Sequence, residues 1–238
     1  MQTVTGVGSS LWIKKAAGLP NIARRKFPIN GLVFYAPLWH PELNTSPFIS
    51  KDLNAHSCTV TGATWGIQGR TFDGAGNNIN CGDNIALDLT TNITVLTWVY
   101  LTGNLGGFYT SASRDDAASA RNWTLQIDDS NRVLWRPVQD GTGKSAYGAN
   151  NSISQNTWYL MGGSCDGTTS KAWLNGAVQG TTAACTSIDN DDVSLYIGLR
   201  SGGSSPFAGV IGEVWIYNIA LTQAGHTQIY QSTKWRYS

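Results

Sequence analysis

Glutamate is nearly missing from this chain: Glu42 and Glu213 are the only two in 238 residues, and charged residues of every kind make up 13%. Sugar hydrolysis commonly needs two carboxylates flanking the scissile bond, often alternating along one strand so that both project from the same face. Glu213 is followed two positions later by Trp215 and then by Tyr217, so that acid-and-nucleophile pattern is missing. The three histidines, His40, His56 and His226, lie apart and form no spaced metal or triad pattern. The glycine-rich segment Ser201–Ser205 joins two strands rather than a strand and a helix, which excludes a phosphate cradle. No paired CxxC spacing marks a common zinc site among Cys58, Cys81, Cys165 and Cys185. No apolar run is long enough to cross a membrane, so membrane insertion is not expected.

Two further shortages concern the N-terminus. An export signal requires a continuous apolar core of about 7–15 residues after a basic start. Here Met1 to Ser10 is polar and Leu11-Trp12-Ile13 is too short. Without export, the four cysteines read as buried free thiols, although Cys165 and Cys185 flank Asn175-Gly176 and could approach one another. Residues 1–28 also hold no Asp or Glu, so Lys14, Lys15, Arg24, Arg25 and Lys26 give them +5, while residues 29–238 carry 11 basic against 15 acidic residues. Leu11, Trp12, Ile13, Leu19, Ile22 and Phe27 are too apolar for an ordinary solvated tail. The segment reads as an arm that docks on a partner chain or a neighbouring copy through Leu11, Trp12, Ile13, Arg24, Arg25 and Lys26. Five charges without aromatic stacking spacing do not point to nucleic acid.

What the chain has in abundance is glycine, 27 residues, and tryptophan, 10 residues. Short apolar runs separated by Gly, Asn, Asp and Ser read as an all-β antiparallel sandwich, and the length suffices for one full core. Turn signals stand at Asp128–Asn131, Asp166-Gly167 and Asn175-Gly176, where Asn and Gly tolerate the left-handed backbone of a tight hairpin. Near the end, Val210 to Tyr217 reads as a strand with both faces largely apolar. Thr222 then caps a short helix over 223–231, with Ile229 and Tyr230 available to pack back on the sheet.

The run Phe207-Ala-Gly-Val-Ile-Gly-Glu-Val-Trp-Ile-Tyr-Asn-Ile-Ala-Leu221 resembles the last strand and final turn of the laminin G-like and pentraxin-like sandwiches, the concanavalin A-like jelly rolls. Phe72-Asp73-Gly74 is similar to that family's Phe-Asp-Gly turn, and Ile93–Tyr100 to its following strand with a structural Trp at Trp98. Asn156–Trp158, Asp166-Gly167, Trp173–Gly176 and Leu195–Gly198 continue the resemblance in the same order. It implies a concanavalin A-like jelly roll over residues 29–238, with a short C-terminal helix and an extended arm at 1–28.

The resemblance carries expectations about sites. No cofactor is required, but many relatives bind calcium through Asp, Asn and carbonyl oxygens at the sandwich rim, and Asp189, Asp191 and Asp192 stand just before a strand. A polar turn explains the same residues, and Gly212 occupies a place where relatives often have Asp. Glu213 falls at the family's ordinary acidic position, a structural one. Trp98 and Trp173 occupy core positions. Tyr100 and Trp215 stand where relatives are usually polar and outward, as a sugar platform, a protein interface, or a surface covered by the arm. Together these features point to a non-enzymatic structural or adhesive module of a phage-like virion surface, assembled in the cytoplasm and anchored by its arm into an oligomer. The alternative is a carbohydrate-binding lectin-like module, with glycans as partners; a glycoside hydrolase is the weakest reading.

Overall fold

The structure, a computed structural model, describes residues 27–237. In chain order the strands are β1 (Leu32–Pro37), β2 (Phe48–Ile49), β3 (Ser57–Thr61), β4 (Thr64–Gly66), β5 (Gly69–Asp73), β6 (Asn78–Asn80), β7 (Asn92–Leu101), β8 (Tyr109–Asp115) and β9 (Arg121–Ile127). They continue with β10 (Val133–Gln139), β11 (Thr142–Gly143), β12 (Ala146–Tyr147), β13 (Trp158–Asp166), β14 (Thr169–Leu174), β15 (Ala177–Ala184), β16 (Tyr196–Ile197) and β17 (Ala208–Tyr217), followed by the helix α1 (Gln223–Thr233). All pairings are antiparallel. The sandwich expected from the sequence is therefore present.

The front sheet places β17 between β7 on one side and both β1 and β5 on the other, then runs on through β13, β14 and β15. The back sheet runs β3-β6-β16-β8-β9-β10-β12. A single pairing of Tyr147 with Thr181 joins the two layers.

Period-two alternation gives each sheet one apolar face. Across the back sheet the register lines up Val60, Ile79, Ile197, Ala112, Leu125, Trp135 and Ala146 toward the core. The neighbouring row, Thr59, Asn80, Tyr196, Ser113, Thr124 and Arg136, is polar throughout and turns away from it. Gly163 sits in the inward row of the front sheet because a methyl there would overlap the Trp135 ring. Asn175 and Gly176, both with positive φ (51° and 82°), form the two-residue hairpin between β14 and β15 that their sequence announces.

Cys165 and Cys185 form a disulfide, with their Cα atoms 6.3 Å apart, whereas Cys58 and Cys81 are free and buried. The free-thiol reading is corrected for the first pair. Cys165, near the end of β13, and Cys185, just past β15, meet across β14, whose Ser170 pairs with Cys165 on one side and Ala183 on the other.

Candidate functional site

The outward face of the front sheet is the unusual one. One row across it reads Tyr35, Trp215, Leu96, Gly162, Trp173 and Val178, and Trp98, Tyr217 and Leu160 flank that row. In an ordinary sandwich this face would meet water. Here α1 and the chain after it lie across it, forming a second apolar core.

The lid is held at several points. Thr222 caps α1 by accepting from the Gly225 amide at 3.3 Å, as expected, and the helix runs two residues beyond the predicted end, to Thr233. Ile229 is fully buried, His226 stacks on Trp173 with ring centres 3.7 Å apart, and Tyr230 stacks on Trp98 at 5.8 Å. The Trp98 indole donates to the Thr233 hydroxyl at 2.8 Å. Tyr237 then stacks on Trp98 at 4.5 Å and touches Trp158 at 4.6 Å.

Glu213 fastens this tail. Its buried carboxylate accepts from the Tyr35 hydroxyl at 2.9 Å and the Tyr237 hydroxyl at 3.1 Å, and the Arg236 guanidinium lies 3.7 Å away. Arg236 in turn lies flat on Trp39, 3.3 Å from the ring centre. The carboxylate is thus enclosed by its own chain and faces no open site, in keeping with the structural role read from the sequence. Gly212, the departure from the family pattern, also finds its reason here: a Cβ would stand 2.5 Å from the Tyr237 ring. A side chain at this position would displace the tail.

Where α1 and the tail meet the sheet, a pocket of about 470 Å³ opens between Trp98, Trp158, Tyr230, Gln231, Lys234, Trp235 and Tyr237. Trp98 forms its floor, and Trp235 is 59% exposed at its mouth. Its volume lies in the roughly 300–1,000 Å³ range of small-molecule sites. Aromatic faces supply flat apolar contact, while the Gln231 amide and the Lys234 ammonium add polar groups at the edge. Such a lining suits a ligand with one apolar face and a rim of hydroxyl groups. It offers no nucleophile paired with a base.

The aromatic pair read from the sequence does not form one platform. Trp215 points outward as expected, yet it has no exposed surface: Tyr35 stacks on it at 5.5 Å and Phe27 meets its edge at 6.1 Å. Of the three readings given for Trp215, the platform and interface readings do not fit a ring so enclosed; the covered one does, with Tyr35 and, from the segment 1–28, Phe27 closing over it. Tyr100 is half-buried and lies opposite Val210, whereas Trp215 lies opposite Leu96. Four residues along β7 separate these positions by about 13 Å. Tyr100 instead touches Trp158, a wall of the pocket, with centres 5.4 Å apart.

Phe27 and Pro28, assigned to the arm, already belong to this face, for the Tyr217 hydroxyl donates to the Pro28 carbonyl at 2.9 Å. Burial pushes the Tyr217 phenol above its usual range. The arm residues Leu11, Trp12, Ile13, Arg24, Arg25 and Lys26 lie outside the described residues.

The rim aspartates are engaged separately. Asp189 accepts from the Asp140 and Gly141 amides, both at 2.8 Å, and Asp191 from the Arg121 amide at 2.7 Å. Asp192 faces Asp83, whose carboxyl is raised above its usual range by burial and by its hydrogen bond with Asp192. Among the described residues no group of three or more His, Cys, Asp or Glu converges as a metal would require. Asp189, Asp191 and Asp192, suggested as a calcium set by the sequence, are thus each given a separate partner.

The pocket was missed at the sequence level because its walls come from a strand read as scaffold and a tail read as brief. The available signal was the density of Tyr230, Trp235 and Tyr237 in the last nine residues.

Comparisons with known proteins agree with the fold. No curated protein matches this sequence. Among solved structures, the binding domain of Paraclostridial Mosquitocidal Protein 1 superposes with a TM-score of 0.67 at 17% identity, covering 85% of this chain and 52% of that one. The ligand binding domain of botulinum neurotoxin serotype D, in complex with N-acetylneuraminic acid, gives 0.65 at 13% identity, covering 86% and 52%. The binding domain of botulinum neurotoxin DC in complex with SialylT gives 0.68 at 11%, with the same coverage. The chain spans about half the length of each of these structures. A family profile matches residues 73–225, and with the ordered motifs and the sandwich in place, the chain belongs to the concanavalin A-like lectin/glucanases superfamily.

Proposed function

We propose that this domain is a non-catalytic, lectin-like module that binds glycans in the aromatic pocket beneath α1. The observation that carries the reading is the pocket's lining: stacked indole and phenol rings with an amide and an ammonium at the edge, in a volume suited to one or two sugar rings. The sugar's C–H face would lie on Trp158, Tyr230 and Trp235, and its hydroxyls would reach Gln231 and Lys234. That binding domains of similar fold have been solved with N-acetylneuraminic acid and SialylT lends support. The enclosed state of Glu213 supports a binding rather than a hydrolytic role.

A glycan array tests this directly. The wild-type domain binds at least one glycan class, and Trp158→Ala or Trp235→Ala weakens that binding about tenfold, equivalent to about 1.4 kcal/mol. A silent wild-type array, or binding indifferent to both substitutions, contradicts the proposal.

The finer proposal, that the module is displayed on a virion surface through residues 1–28, is supported by the basic and apolar composition of that segment. Deleting residues 1–26, which spares Phe27 and Pro28 on the front face, then leaves a folded, glycan-binding sandwich that no longer joins its particle. Retained assembly overturns it.

A further inference from the structure

On the opposite side of the sandwich, the outward row of the back sheet ends in a concentration of positive charge that the aromatic pocket does not use. Asp115, fully buried, receives Arg200 through Nη2 and, at 3.1 Å, through Nε. Arg121 Nε lies 3.6 Å from the other oxygen of the same carboxylate and is buried without a hydrogen-bond partner among the described residues. Beside them stands Arg136 on β10. Its half-buried guanidinium makes no hydrogen bond or ion pair among the described residues. Burial and the neighbouring Arg121 and Arg200 charges all disfavour its ionised form, with Asp115 acting the other way. The guanidinium nonetheless stays charged in water-accessible protein.

Nearby carboxylates do not relieve this crowding. Asp191 turns its carboxylate to the Arg121 amide rather than to a guanidinium. Asp116 curls into its own loop, accepting from the Ala118 and Ala120 amides at 2.7 and 3.0 Å. Gly143 closes over the stem of Arg136, since any side chain there would collide with its Nε. A glycine in the β11 hairpin thus leaves room for a guanidinium that makes no hydrogen bond or ion pair among the described residues. The floor beside it is formed by Ser113 and Thr124, small and hydroxylated, with Tyr196 and Tyr147 nearby along the sheet.

Two guanidinium groups share the Asp115 carboxylate and a third stands beside them, an excess of positive charge in a partly desolvated place that an added anion stabilises, and the planar fork of arginine matches the oxygens of a carboxylate or a sulfate. We propose that Arg121, Arg136 and Arg200 form an oxyanion site on the back sheet that takes a carboxylate or sulfate group borne by a saccharide. It lies on the sheet opposite the aromatic pocket, so an acidic glycan would engage this face independently of the sugar stacking proposed above.

Isothermal titration of the full chain with sodium sulfate, a sulfated disaccharide, N-acetylneuraminic acid and the matching unsulfated disaccharide separates the alternatives. At least one of the three anionic probes is expected to bind well above the unsulfated disaccharide, and Arg136→Gln to weaken it about tenfold or more. Arg136→Lys retains part of the affinity, and Gly143→Ala, which shifts Arg136 without removing its charge, weakens it as well. Circular dichroism confirms that each variant is folded. Tighter binding of the sulfated disaccharide than of N-acetylneuraminic acid identifies sulfate as the natural group, and the reverse order identifies carboxylate. Heat with none of the anions, or equal affinity in wild type and Arg136→Gln, overturns the site. Neutral-glycan binding that persists in Arg136→Gln and weakens about tenfold in Trp235→Ala keeps the two proposals distinguishable.

Discussion

The two outward faces of this sandwich have opposite characters. On the front sheet Tyr35, Trp98, Trp173, Trp215 and Tyr217 point away from the inter-sheet core; on the back sheet Ser113, Thr124 and Arg136 do. Both sheets obey the same two-residue alternation, so alternation fixes which way a side chain points but not whether water reaches it. Large rings on one face demand a cover, and α1 with its tail supplies it. Ser113 and Thr124 on the other face are just as buried, but they are small and hydrogen-bonded, to the Leu199 carbonyl and to Gln126, and need no helix above them. The pocket arises at the seam, where the cover is incomplete.

The largest expected effect tests this contrast by truncating both faces. Trp215→Ala removes a ring wholly enclosed by Tyr35, Phe27 and the sheet, and should cost about 3–5 kcal/mol in urea unfolding. Thr124→Ala on the back sheet should cost about 1 kcal/mol, the worth of its hydrogen bond to Gln126. Equal losses would mean that the front face is not a second core.

Acid should loosen the cover before it affects the sandwich. Burial against Trp173 lowers the His226 pKa from 6.5 to about 3, and neither ring nitrogen has a hydrogen-bond partner among the described residues. A depressed folded-state pKa means that the unfolded chain takes the proton more readily. The stability contributed by neutral His226 is therefore full above about pH 6.5 and is lost progressively as pH falls toward 3, on the order of a few kcal/mol. His226→Phe keeps the stacking and removes the proton site. Its Tm should fall much less than that of wild type between pH 7 and pH 4, and parallel curves would contradict the assignment. Asp166, held well below the usual carboxylate range despite its partial burial by Lys171, Thr168 and backbone amides, loses its contribution only at lower pH.

Gly212→Ala addresses the seam itself. The added methyl would collide with the Tyr237 ring, and shifting the tail should cost about 1–3 kcal/mol while exposing Trp98 to quenchers of tryptophan fluorescence. Unchanged quenching would show that Tyr237 does not seal this face.

Much of this architecture was written in local signals. The Asn175-Gly176 hairpin, the β17 strand and the Thr222 cap each follow from a few adjacent residues whose backbone preferences or alternation are explicit. The direction of Trp215 was legible for the same reason. Its burial stood only as one of three alternatives, because it depends on Tyr35, 180 residues earlier in the chain, and on Phe27 at the start of the described structure. The pocket was hidden on the same grounds: Trp98, Trp158 and Trp235 meet only after two sheets and a helix have been assembled. The rim aspartates show the converse case, since three acidic residues in one tetrapeptide suggested convergence while each carboxylate found a different partner.

The central claim is that glycans bind at the seam between α1, the tail and the front sheet. Hydrogen–deuterium exchange, compared with and without a saturating glycan identified on the array, tests it most directly. Protection confined to residues around 158 and 230–237, with loop amides elsewhere unchanged, is the predicted result; protection centred on another surface, leaving these segments unaffected, would contradict it.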